Sequence, residues 1–84
     1  MKIGVVEAFS EKTQRFMALA SDGTFSTFAF LVPQDVKIGD SVEWQSIAGQ
    51  ARMTVKNKRT GEDLHVNALA FDASQAIAEA YLGS

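Results

Sequence analysis

Apolar and polar side chains alternate with a period of two through most of residues 2–66, in segments rarely longer than eight residues. That is the period of an extended chain, in which successive side chains point to opposite faces, so the fold is expected to be mainly β. A first strand is expected over residues 2–9, with Val6 and Ala8 on one face and Ile3, Val5 and Phe9 on the other, followed by the polar break Glu11-Lys12-Thr13. The second and third strands, residues 15–20 and 25–32, meet across Asp22-Gly23, a pair suited to the two positive-φ positions of a type I′ turn. Pro33 cannot donate to a ladder and opens a connector. A turn through Gly39-Asp40 leads to a fourth strand with Val42 and Trp44 inward and Glu43 and Gln45 outward. After a loop carrying Gly49, the fifth strand turns Ala51, Met53 and Val55 inward and Arg52, Thr54 and Lys56 outward. A turn over residues 57–61 precedes a short sixth strand in which Leu64 and Val66 face in and His65 and Asn67 face out.

The two-residue turn sets a register. With Ser21 opposite Thr24, Leu19 pairs with Ser26, Met17 with Phe28 and Arg15 with Phe30, and the face holding Met17, Leu19, Phe28 and Phe30 is the core. The other face then carries Phe16, Ala18, Ala20, Phe25, Thr27, Ala29 and Leu31, which is apolar as well. Burial against one core explains one apolar face. The second must be covered by another part of the chain or be a contact surface.

The period changes in the tail. Asp72 is the expected N-cap, Gln75 occupies the capping-box position, and Ala73, Ala76, Ile77, Ala80 and Tyr81 form an apolar stripe at helical spacing that ends near Gly83. A helix this short is unstable alone in water, so it must dock on the barrel or serve in self-association. The expectation is a barrel over residues 1–71 and a helix over residues 72–84. The fold class is a small antiparallel Greek-key barrel of five to six strands, OB-like, with a short C-terminal helix.

Composition narrows the function. Eighty-four residues make one domain with one small core. There is no cysteine for a disulfide or thiolate metal site. The opening apolar run is broken by Glu7 and Ser10 too early for a signal peptide, and no window approaches a membrane span, so a cytoplasmic protein without membrane association is expected. The net charge of −2 gives no overall pull toward nucleic acid. Locally the balance differs: no acid lies between Trp44 and Gly61, while Arg52, Lys56, Lys58 and Arg59 supply four of the eight basic residues. From Glu62 onward the sign reverses. Such a run is either a solvated face or a phosphate-contacting patch.

The order of landmarks, GVVEAFSEK, then DGTFSTFAF, then KIGDSVEW and a strand after a glycine-containing loop, resembles that of cold-shock domains over about residues 2–57. The resemblance implies an OB-type barrel that binds single-stranded DNA or RNA through aromatics on its second and third strands. The family's stacking signatures are thinned here. The first reads Lys12-Thr13-Gln14-Arg15-Phe16, keeping one phenylalanine, and the second reads Ser26-Thr27-Phe28-Ala29-Phe30, with its phenylalanines turned inward by the hairpin register. Stacking contributes about 1–3 kcal/mol per base, so the change implies weakened or altered binding.

The candidate binding residues are therefore Phe16 and Phe25 as stacking groups, Thr27 beside them, and Lys12, Arg15, Arg52, Lys56, Lys58 and Arg59 as phosphate contacts. The alternative is a protein-interaction or self-association module that uses the remodelled outer face, with Phe16, Phe25 and Leu31 in the contact patch. Catalysis is not expected. His65 is the only histidine, and its neighbours Glu62 and Asp63 supply neither a nucleophile nor an oxyanion site. No metal-ligand spacing occurs, and no cofactor is implied.

Overall fold

The computed structural model describes residues 1–45 and 51–83. Six antiparallel strands close into a barrel in the order β1-β2-β3-β6-β5-β4: β1 Lys2–Ser10, β2 Arg15–Ala20, β3 Phe25–Phe30, β4 Ser41–Trp44, β5 Arg52–Asn57 and β6 Asp63–Ala73. Strands β1–β3 form one meander and β4–β6 another. The connector after β3 returns the chain to pair β4 with β1, which makes the first four strands a Greek key. The helix α1, Gln75–Leu82, packs on the outside against β2, β3 and β6. The loop glycine Gly49 expected before β5 lies outside the described residues.

The hairpin between β2 and β3 departs from expectation by one residue. Asp22 does not adopt a positive φ, whereas Gly23 does, at 88°. The Gly23 amide donates to the Ala20 carbonyl at 3.0 Å, and the Ala20 amide donates to the Thr24 carbonyl at 2.8 Å. The loop therefore has three residues, Ser21-Asp22-Gly23, closing a turn whose last position is left-handed and taken by glycine. The Asp22 carboxylate reinforces it by accepting from the Thr24 amide and hydroxyl. Register follows the longer loop: Leu19 faces Phe25, Met17 faces Thr27, Phe16 faces Phe28 and Arg15 faces Ala29.

One residue of slip inverts every side chain of β2 relative to the expected arrangement. Phe16, Ala18 and Ala20 point into the barrel, while Met17 and Leu19 point out. Phe16 is fully buried, its ring 5.2 Å from Phe28 and 5.3 Å from Phe30. Phe28 and Phe30 face inward and Phe25, Thr27 and Ala29 outward, as expected, because the loop change leaves β3 in place. A bulge between Val6 and Ala8 gives β1 a similar correction: Val6 pairs with Ala18, yet Phe9 pairs with Phe16, so Val6 and Phe9 both face inward and Ala8 does not.

Val6, Phe16, Phe28, Val42, Trp44, Val55, Leu64 and Val66 fill the barrel. Trp44 reaches across it, edge-on to Phe28 at 5.3 Å, and its indole presses on β1 at Gly4. A Cβ at Gly4 would stand 2.7 Å from the Leu19 carbonyl oxygen and 3.0 Å from the Trp44 ring, so only glycine fits there. Asp40, Asn57 and Arg59 lock the β3–β4 connector to the start of the β5–β6 turn. The Asp40 carboxylate accepts from the Lys37 amide, from Asn57 Nδ2 at 3.0 Å and from Arg59 Nε at 2.6 Å.

The helix also differs from expectation. Strand β6 runs to Ala73, and Ser74 is the N-cap, its hydroxyl accepting from the Ile77 amide. Asp72 has a φ of 50° and belongs to the strand end. The buried residue of α1 is Ala78, while Ala76, Ile77, Ala80 and Tyr81 remain exposed. The stripe inferred from the sequence is therefore turned away from the barrel. Backbone bonding decides this choice: Thr27 Oγ1 donates to the Ala78 carbonyl at 2.7 Å, and Arg15 Nη1 and Thr13 Oγ1 each donate at 2.8 Å to the last-turn carbonyls of Tyr81 and Leu82. The Tyr81 and Leu82 carbonyls lack helical partners, and satisfying them with a guanidinium and a hydroxyl, while the Thr27 hydroxyl adds a bond to the Ala78 carbonyl, holds the small Ala78 face down.

Candidate interaction surface

The helix explains half of the second apolar face. It covers the outer row in which Met17 and Thr27 are cross-strand neighbours and Thr27 continues to Ala70, and all three are buried. The next row is not so covered. Val5 on β1 faces Leu19 on β2, and Leu19 faces Phe25 on β3, so three large apolar side chains lie side by side across the sheet. Ile3 extends the row along β1. Ile3 is 49% exposed and Val5 43% exposed, while Leu19 and Phe25 are half-buried. Small residues around them, Ser21, Gly23 and Ser41, leave a groove of about 420 Å³ walled by Ile3, Val5 and Leu19.

Charge is organised at one edge of this groove. Lys2 Nζ lies 2.7 Å from the Asp22 carboxylate, also contacts Asp72, and donates to Thr24 Oγ1 at 3.2 Å. Burial works against the Lys2 ammonium, but the bonds to Asp22 and Asp72 outweigh it and raise its pKa. The hydrogen bond from Lys2, followed by those from Thr24, holds the Asp22 carboxyl well below the usual carboxylate range. The cluster ties the start of β1 to the β2–β3 loop and the end of β6.

The residues expected to bind nucleic acid are not gathered into one surface. Phe16, expected as a stacking group, is sealed in the core by the register of the three-residue loop. Thr27 is buried beneath α1 and committed to the Ala78 carbonyl. Arg15 is half-buried and bonded to the end of the helix. Arg59 binds Asp40 and, at 3.1 Å, Asp35, while Lys58 stands 3.9 Å from Glu43. Lys12, in the β1–β2 turn, and Arg52 and Lys56, on the outer face of β5, are exposed. Phe25 is accessible in part, but it pairs with Ala73 at one end of β6, whereas Lys56 pairs with Asp63 at the other. Ten steps of strand separate them, about 33 Å of chain at 3.3 Å per residue.

Sequence reasoning passed over Ile3, Val5 and Leu19 as a group. The available signal was in β1, where Gly4 and Val6 alternate with Ile3 and Val5, so that this strand too is apolar on both faces. Among the described residues, no cluster of histidine, cysteine or carboxylate side chains could hold a metal ion, and no helix is long and apolar enough to cross a membrane. No family model matches the chain, and neither a curated protein nor a solved structure shows significant similarity to it.

Proposed function

We propose that this chain is a small protein-binding module that docks its partner on the outer face of β1 and β2. The observation that carries the reading is the Val5–Leu19–Phe25 row, extended by Ile3, beside the one region of that face that α1 covers. A fold that lays a helix over Met17 and Thr27 has the means to cover an apolar row. Leaving the adjoining row solvent-accessible, with two aliphatic side chains more than 40% exposed, is the pattern of an interaction surface. The single-strand-binding alternative draws support from Lys12, Arg52 and Lys56, which are exposed, but it has Phe25 alone of the two expected stacking groups.

The test compares proteins retained by the wild-type chain with those retained by an Ile3→Thr/Val5→Thr variant, which keeps branched side chains and strand propensity while removing apolar surface. Partners that bind the wild type directly and lose affinity at least tenfold with the variant support the reading. A parallel titration with labelled single-stranded DNA and RNA at two salt concentrations covers the alternative. Salt-dependent micromolar binding that is unchanged in the variant and lost with Arg52→Ala/Lys56→Ala would overturn the proposal in favour of nucleic acid.

A further inference from the structure

Strand β6 ends at Ala73 and α1 begins at Gln75, so a single residue, Ser74, lies between them. The chain turns back onto its own barrel within residues 72–74, with Asp72 at a φ of 50°, in the left-handed region that non-glycine residues enter at a cost. Lys2, which contacts the Asp72 carboxylate, and Ser26, whose Oγ accepts from the Asp72 amide at 3.2 Å, hold the bend in place. The seat of α1 owes nothing to the bend. It consists of the buried Ala78 side chain and of three bonds made to helix carbonyls by Thr27, Arg15 and Thr13. Any copy of α1 delivered to this seat makes the same contacts, whichever chain it belongs to.

From these two observations we infer that the chain dimerises by exchanging α1: residues 72–74 straighten, and the helix of each copy docks on β2, β3 and β6 of the other. A short connection held in a costly backbone conformation favours the exchange, because the closed and exchanged forms share one helix seat and differ at the connection. A helix on a short tether has an effective concentration on the order of millimolar at its own seat, and a strained tether lowers it, so a second copy competes at high protein concentration. Lifting the helix is the first step, and with one buried side chain α1 gives up little apolar contact in doing so. The exchange is independent of the β1–β2 docking face, since α1 seats on the neighbouring row of Met17, Thr27 and Ala70.

The chain has no cysteine, so a designed pair reports which barrel each helix occupies. A Cβ at Gly83 would stand 3.8 Å from Thr13 Cβ, a disulfide separation, and Thr13→Cys removes the methyl that would crowd it at 3.0 Å. The Thr13→Cys/Gly83→Cys protein is refolded under reducing conditions at a series of concentrations, oxidised, and separated on a non-reducing denaturing gel. The share of interchain disulfide is expected to rise from under about one tenth at about 10 μM to about half near 1 mM. Wild-type protein refolded from a mixture of isotope-labelled and unlabelled chains gives the same information without substitutions: Thr27 of one chain should show nuclear Overhauser contacts to Ala78 of another. Asp72→Val and Asp72→Gly lose the carboxylate alike but differ in their tolerance of positive φ, so at equal concentration Asp72→Val should form about tenfold more dimer by sedimentation velocity. Intrachain disulfides and intrachain contacts at every concentration overturn the inference. A dimer whose helices stay on their own barrels also overturns it, and would place self-association on another surface. Equal dimer from the two Asp72 variants overturns it as well, because the bend would then contribute nothing.

Discussion

Replacing Phe16 by alanine tests the register on which the description of both faces depends. Phe16 is fully buried and its ring lies within 5.3 Å of the centroids of Phe28 and Phe30. Removing a buried phenyl group forfeits about 2–3 kcal/mol of transfer free energy, and the incompletely collapsed cavity adds to it, for a total of about 3–5 kcal/mol. A domain of this size has roughly 5–10 kcal/mol in all, so the variant should sit near the edge of folding. Phe25→Ala is the matched control. Its half-buried ring lies on the outer face, and its loss should cost about 1 kcal/mol. Urea unfolding followed by tryptophan fluorescence reads both through Trp44, which contacts the Phe28 ring. At a slope near 1 kcal/mol per molar urea, Phe16→Ala moves the midpoint down by about 3 M or more and Phe25→Ala by about 1 M. Phe16→Leu, expected to cost about 1–2 kcal/mol, keeps the comparison measurable if the alanine variant does not fold. The reasoning is refuted if Phe16→Ala costs no more than Phe25→Ala. That outcome would place Phe16 at the surface and return the Asp22-Gly23 loop to two residues.

Gly4→Ala should destabilise by about 1–3 kcal/mol, because the new methyl meets a backbone carbonyl at 2.7 Å, and Trp44→Phe should relieve only part of that cost, which a double-mutant cycle in urea will show. Burial acts to raise the Asp40 pKa, but the bonds from Arg59, the Lys37 amide and Asn57 together hold it below its ordinary value. A depressed carboxyl stabilises the fold fully above its unfolded pKa of about 4 and loses that contribution as pH falls through the lower folded value, so Asp40→Asn should flatten the acid limb of the stability profile below about pH 4. The same variant should cost about 1–3 kcal/mol at neutral pH by thermal or urea unfolding. Thr27→Val removes the hydroxyl that holds Ala78, and Ser74→Ala removes the N-cap; each should cost about 1 kcal/mol and speed amide exchange in residues 75–82 while leaving the barrel strands protected. Exchange that accelerates equally throughout the barrel would count against a helix that opens on its own.

The succession of strands was legible in the alternation itself, since a half-buried extended chain cannot bury one face without writing a period of two into the sequence. The inward placement of Val42, Trp44, Val55, Leu64 and Val66 followed from it, and the polar breaks and Pro33 marked the connections. Alternation carries no information about which of two apolar faces is the inner one, and in β2 both faces are apolar. There the choice passed to the loop, where Asp22-Gly23 suits a two-residue turn and the last two positions of a three-residue turn equally well. The closed barrel settled it by seating Phe16 beside Phe28 and Phe30, an arrangement that depends on β6 and β4 completing the cylinder. The same holds for the tail. A stripe of Ala76, Ile77, Ala80 and Tyr81 was visible at helical spacing, yet α1 turned that stripe outward because hydroxyls and a guanidinium far away in sequence bind its carbonyls. What the amino-acid order determined alone were the local periods and breaks. Which faces meet, and therefore which apolar row stays exposed, was decided by contacts between residues up to 70 positions apart, which no local pattern records.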